Sequence, residues 1–132
     1  MIQQAGVVFG FAIGLIVGSF LNVVILRSET GERLTGRSRC RSCINVLSAY
    51  ELIPIVSFCI QKGRCRQCGI ALLRQYPFVE FACGIAYAVA VWVLLPDIAL
   101  ADPVRVLALI ETWIVIAAGL VVLIADIRFQ II

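Results

Sequence analysis

The residues best suited to chemistry are four cysteines set in two turns of similar spelling, S-R-C-R-S-C and G-R-C-R-Q-C. Cys40 and Cys43 form one C-x-x-C pair and Cys65 and Cys68 the other, with 21 residues between the pairs. Each turn offers two thiolates, and two turns together supply the soft ligands of a tetrahedral Zn²⁺ site. The separation lies just above the common range of roughly 15–20 residues. Four thiolates close the coordination sphere and leave no position for a reacting water, so the zinc expected here is structural. A redox dithiol or disulfide, and four unligated thiols, are the competing readings. Cys59 lies in an apolar run and Cys83 in an apolar span, where free cysteine ordinarily acts as a small hydrophobe.

The carboxylates come next. Asp126 closes the last long apolar run, in L-I-A-D-I-R-F-Q-I-I. An ionisable group at membrane depth is a functional candidate by default. The plainer alternative is a solvated carboxylate, or one paired with Arg128. Glu111 falls under the same rule, nearer the opposite end of that run. Glu80, at the start of the second apolar run, is expected to pair with arginines of the cysteine-bearing loop.

Composition says what positions these groups. The chain is 62% apolar and only 14% charged, with a mean hydropathy of +1.05. Soluble domains are usually about 25% charged. The expected fold is therefore an all-α membrane protein with about three transmembrane helices. Residues 1–26 would form the first, 27–76 a cytosolic basic tetracysteine loop, and 77–132 the second and third.

Ala5 to Leu26 is an uncharged run of 22 residues. As a helix it would reach about 33 Å, enough for a bilayer core. No Lys or Arg precedes it and Arg27 closes it without a small-residue cleavage site, which argues against a signal peptide. Gly6, Gly10, Gly14 and Gly18 recur every four residues and Asn22 extends the row. Such a ridge lets another helix approach closely, and the amide can bond across the contact. Self-association along the ridge is one use of it.

Ser28 to Gly36 reads as a polar exit. Leu47 to Phe58 is interrupted by Pro54, too short and broken to span, and is expected on the membrane surface or under the metal site. A second run covers Phe78 to Leu95, with Ala82, Ala86 and Ala90 as its row of small residues and Trp92 near its far end. Pro96 to Pro103 reads as a turn, and Val104 to Ala125 as the third run.

Of the eleven basic residues, nine lie between Arg27 and Arg74. The positive-inside rule puts that loop in the cytosol, with the N-terminus and the Pro96–Pro103 turn outside and Asp126 inside. A reducing cytosol disfavours disulfides. Attraction to anionic lipid headgroups accounts for the basic charge more simply than nucleic acid does, since aromatics in the loop are few.

Taken in order, G-L-I-V-G-S-F-L-N-V-V-I-L-R, the two cysteine turns, E-L-I-P-I-V-S-F and R-Q-Y-P-F-V-E-F resemble the N-terminal half of type IV prepilin peptidases, the leader peptidase/N-methyltransferases. The resemblance implies a polytopic bacterial inner-membrane aspartic protease. Such an enzyme cuts the leader from type IV prepilins or type II secretion pseudopilins at the cytosolic face. It then N-methylates the new N-terminus from S-adenosylmethionine. Asp126 matches the first catalytic aspartate of that family, and Cys40, Cys43, Cys65 and Cys68 match its zinc-binding cysteines. Glu80 and Gly84 follow the Y-P motif and are candidates for the methyl-transfer function.

There are departures from the family pattern. The sequence stops at Ile132 and contains no G-x-G-D, where the second catalytic aspartate occurs. An aspartic dyad needs two carboxylates sharing a proton. The expectation is thus a truncated product, split gene or fragment, inactive alone, whose partner segment or second chain supplies the other aspartate. Ser28 stands where the family usually has proline. The rival from another class is a non-enzymatic membrane scaffold built on the zinc knuckles and the glycine ridge.

Overall fold

The structure, a computed structural model, describes residues 1–96 and 102–129. It is all-helical: α1 (Ile2–Thr30), a 3₁₀ turn (Ala49–Leu52), α2 (Val56–Ile60), α3 (Gln75–Leu94) and α4 (Pro103–Phe129). α1, α3 and α4 are long and apolar enough to cross a membrane, which makes this a multi-pass membrane protein. The described residues contain no strand, only two isolated bridges in the cysteine loop. Most of the turn expected between Pro96 and Pro103, at residues 97–101, lies outside the described residues, as does the end of the Asp126 motif at 130–132.

α1 runs past the apolar stretch that defines its span. Ser28 Oγ donates to Val24 O and Thr30 Oγ1 to Leu26 O, so the polar exit begins as helix. Gly31 then stops it in the left-handed region at φ 67, with its N–H returned to Arg27 O. Arg27 folds the following chain over itself by donating to the carbonyls of Arg33, Leu34, Gly36 and Arg37.

The glycine ridge is used inside the chain. A Cβ at Gly14 would stand 2.6 Å from Cys83 O and 2.7 Å from Gly84 Cα, and one at Gly18 would stand 2.7 Å from Glu80 Cα. α3 therefore lies almost backbone to backbone on α1. Within the chain this ridge is occupied by α3. Gly84 answers from the other side: its Cβ would meet the rings of Phe11 and the methyls of Leu15 at about 3 Å. The face α3 turns inward carries Val79, Glu80, Cys83, Gly84, Tyr87 and Val91. Of the expected Ala82, Ala86 and Ala90 row only Ala90 is buried, since the close approach is made at Gly84.

α4 is held at two levels. Near the end remote from the cysteine loop, Tyr87 and Trp113 stack at 4.7 Å, and Tyr87 Oη donates to Trp113 O at 2.9 Å. Leu109 joins Ala90, Val91 and Leu95 in one apolar cluster there. At the loop end the contact is polar and belongs to the site. About half of α4 is exposed, including Glu111.

Candidate functional site

The two cysteine turns have the same backbone. Cys40 N donates to Asn45 O and Cys65 N to Ile70 O, both at 2.9 Å. Ile44 N donates to Cys40 O, and Gly69 N to Cys65 O. Leu47 N reaches Ser38 O as Leu72 N reaches Gly63 O, and the bridges Arg39–Val46 and Arg64–Ala71 match in turn. Each turn needs a left-handed residue after its second cysteine: Gly69 at φ 71 in one, Ile44 at φ 58 in the other. Inward-turned N–H groups are what a C-x-x-C knuckle offers to sulfur.

The knuckles face each other so that the four Sγ atoms lie within 4.8 Å of one another. Contacts cross between the turns, Cys40 to Cys68 at 3.8 Å and Cys43 to Cys65 at 4.0 Å. A tetrahedral tetrathiolate with metal–sulfur bonds of about 2.3 Å has sulfur–sulfur edges of about 3.8 Å. A disulfide would need about 2.05 Å, and all four thiols are free. The donor set fits a metal.

The electrostatics agree with the geometry. Burial weighs most on Cys40 and opposes ionisation, yet the backbone N–H groups of Cys43 and Ser42 and the thiols of Cys65 and Cys43 bring it down to about 7. At Cys43 the Asn45 backbone favours the thiolate, but burial and the surrounding sulfurs of Cys40, Cys68 and Cys65 push it up to about 11. A cation among the four sulfurs would favour their thiolate forms.

The rest of the loop braces the knuckles. Ser48 and Glu51 form a capping box at the 3₁₀ turn, and the Ser48 N–H donation holds the Glu51 carboxyl below the usual glutamate range. Arg66, inside the second knuckle, lies over the Tyr50 ring at 5.3 Å.

A chain of polar contacts joins this loop to the end of α4. Glu29 Oε2 accepts Arg128 Nη2 at 2.9 Å and stands 3.7 Å from Arg41 Nη2, between Cys40 and Cys43. Arg128 also donates to Gln75 Oε1. Gln75 Nε2 in turn donates to Asn22 Oδ1, and Asn22 Nδ2 to Tyr76 O, so the amide at the end of the glycine row does bond across the contact. Asp126, two residues before Arg128, is half-buried at this end of α4. Arg128 is directed to Glu29 and Gln75, so the simple Asp126–Arg128 pair is not formed among the described contacts.

Glu80 corrects a sequence expectation. Its buried carboxylate accepts the Ile55 N–H at 2.7 Å, with Ser19 of α1 alongside, and it takes no arginine of the loop. An uncharged backbone donor suits its depth on α3 better than a guanidinium, which would have to be desolvated with it. Gly84 lies one turn further along the same contact with α1. Cys83 is fully buried between α1 and α3, and Cys59 is exposed on α2.

Comparison with known proteins gives the lineage of this arrangement. The model of the bacterial peptidase A24 N-terminal domain matches residues 12–94, from the glycine ridge through both knuckles to the end of α3. The chain belongs to that family. The A24 relatives include a prepilin leader peptidase/N-methyltransferase of Myxococcus xanthus, 46% identical over 81 residues, which cover 61% of this chain and 24% of the relative. A type 4 prepilin-like proteins leader peptide-processing enzyme of Escherichia coli is 32% identical over 126 residues, covering 80% of this chain and 45% of the relative. A prepilin leader peptidase/N-methyltransferase of Bacillus subtilis is 38% identical over 81 residues, 61% of this chain and 33% of its own. The A24 chain described here thus spans less than half the length of these relatives. No solved structure matches it.

Proposed function

We propose that this chain forms the N-terminal part of a prepilin peptidase/N-methyltransferase in the bacterial inner membrane. The tetracysteine loop and Asp126 face the cytosol and the N-terminus faces outward, the placement favoured by nine basic residues in one loop. The observation that carries the reading is the A24 N-terminal match over residues 12–94 together with relatives named for prepilin processing.

In this reading Cys40, Cys43, Cys65 and Cys68 hold a structural Zn²⁺, which supplies cross-linking of the two knuckles and no reacting water. Asp126 is one carboxylate of an aspartic dyad. In such a pair the ionised member takes a proton from the attacking water, and the protonated member donates to the scissile carbonyl oxygen. One aspartate cannot do both, so a further segment or a second chain supplies the other, and the 132 residues alone are inactive. The substrates are prepilins or pseudopilins. Methyl transfer requires S-adenosylmethionine, and Glu80 and Gly84 are proposed to serve it through the α1–α3 contact they occupy. Nucleic acid has no part in this function.

A prepilin carrying a photoreactive residue beside its leader bond tests the reading in lipid. Cross-links to the loop end of α4, around Asp126, are expected. Cross-links confined to the cysteine loop would contradict the peptidase reading and favour a metal-knuckle scaffold.

A further inference from the structure

Residues 52–60, L-I-P-I-V-S-F-C-I, carry no charge and lie between Glu51 and Lys62. Nine apolar residues cannot span a bilayer, and a run of this size belongs to a core or to a membrane interface. It does not build a core here: none of α2 is buried, and Ile53, Val56 and Ile60 are exposed, Ile60 by 69%.

One hydrogen bond ties it to α3. The Ile55 N–H is held by Glu80, five residues inside α3 from Gln75. At 1.5 Å per residue the Glu80 Cα lies about 7–8 Å along α3 from Gln75, within the apolar Gln75–Leu94 helix. The shallow cavity beside it is lined by Ile55, Phe58, Pro77, Phe78 and Phe81 of the two elements, with Arg74 at its rim. Phe78 and Phe81 also face outward from α3, Phe78 with 72% of its surface open. The exposed face of 52–60 is therefore continuous with the lipid-facing belt of α3.

The backbone turns sharply at Ile55. Ile55 has φ 60 and ψ −49, and Val56 N bonds Pro54 O at 2.6 Å. That is a three-residue γ-turn in a conformation costly for a β-branched residue. Such strain persists only where surrounding contacts over-determine it, and here Glu80 takes the Ile55 N–H. Lys62, Arg64 and Arg74 follow the segment in sequence and are exposed, a basic flank of the kind an interfacial segment uses at anionic headgroups.

We propose that residues 52–60 dip into the bilayer on the cysteine-loop side as an apolar interfacial segment, latched to α3 by Glu80, with phospholipid as its partner. The segment anchors the metal loop at a set depth against the membrane. The inference depends on the helices crossing a membrane and not on peptidase activity.

The test uses the whole metal-loaded chain in phosphatidylcholine/phosphatidylglycerol vesicles containing a phospholipid with a photoactivatable acyl chain, read by peptide mass spectrometry. Label is expected on 52–60 at a level similar to that on Phe78–Ile85, and several-fold above that on the 63–70 knuckle. Label on 52–60 no higher than on the knuckle would overturn the proposal, whether water or another protein segment covers it. Glu80→Ala should lower the 52–60 label several-fold with α3 still labelled and metal retained, while Glu80→Gln, which keeps an accepting oxygen, should restore it. Unchanged label in Glu80→Ala would overturn the latch.

Discussion

Arg128 of α4 and Glu29 of α1 meet at 2.9 Å, and the same Glu29 oxygen faces Arg41 inside the first cysteine knuckle. This pairing ties the metal loop to the end of α4 that carries Asp126. Both partners are partly shielded, with side-chain exposures of 23% and 33%. A double-mutant cycle with Glu29→Gln and Arg128→Gln should therefore give a coupling of about 0.5–1 kcal/mol, weaker in high salt. Independent effects of the two substitutions would show that the contact carries no energy.

The knuckles share one ligand sphere, so losing one sulfur affects both turns. Cys40→Ser should lower bound zinc well below one per chain by elemental analysis. It should also make the loop sensitive to protease, while circular dichroism still reports the three long helices. Zinc content unchanged in this variant would overturn the four-ligand site.

The α1–α3 approach predicts a contrast between two glycines. Gly14→Ala puts a methyl against backbone atoms at 2.6 and 2.7 Å, which cannot rotate away. A destabilisation of about 1–3 kcal/mol is expected in detergent or lipid unfolding. Gly119→Ala, with nothing within 4 Å of its new Cβ, should be neutral or slightly stabilising. Equal effects would contradict the backbone contact.

Much of this was legible before the fold. The C-x-x-C spacing needs only local turn geometry, and both turns share R-C-R-x-C. The glycine row keeps helical register, so its use as a contact was visible, though not its partner. The row Ala82, Ala86 and Ala90 does not mark the face of α3 that meets it, because the close approach is made by the backbone of Glu80, Cys83 and Gly84. The partner of Glu80 was hidden for a different reason. A backbone N–H has no sequence signature, and Ile55 presents it only through a positive φ that isoleucine rarely adopts. The Glu29–Arg128 pair joins residues far apart in sequence whose meeting follows from helix packing.

In the proposed function Asp126 is one of two carboxylates in a prepilin-cleaving site. The most direct measurement is leader release from a prepilin in lipid, with this chain reconstituted beside a segment carrying G-x-G-D. Wild type and Asp126→Asn are to be compared, each also without that segment. Release is expected only with the G-x-G-D segment present, reduced about a thousandfold or more by Asp126→Asn. Release at the wild-type rate by the Asp126→Asn pair would contradict this expectation.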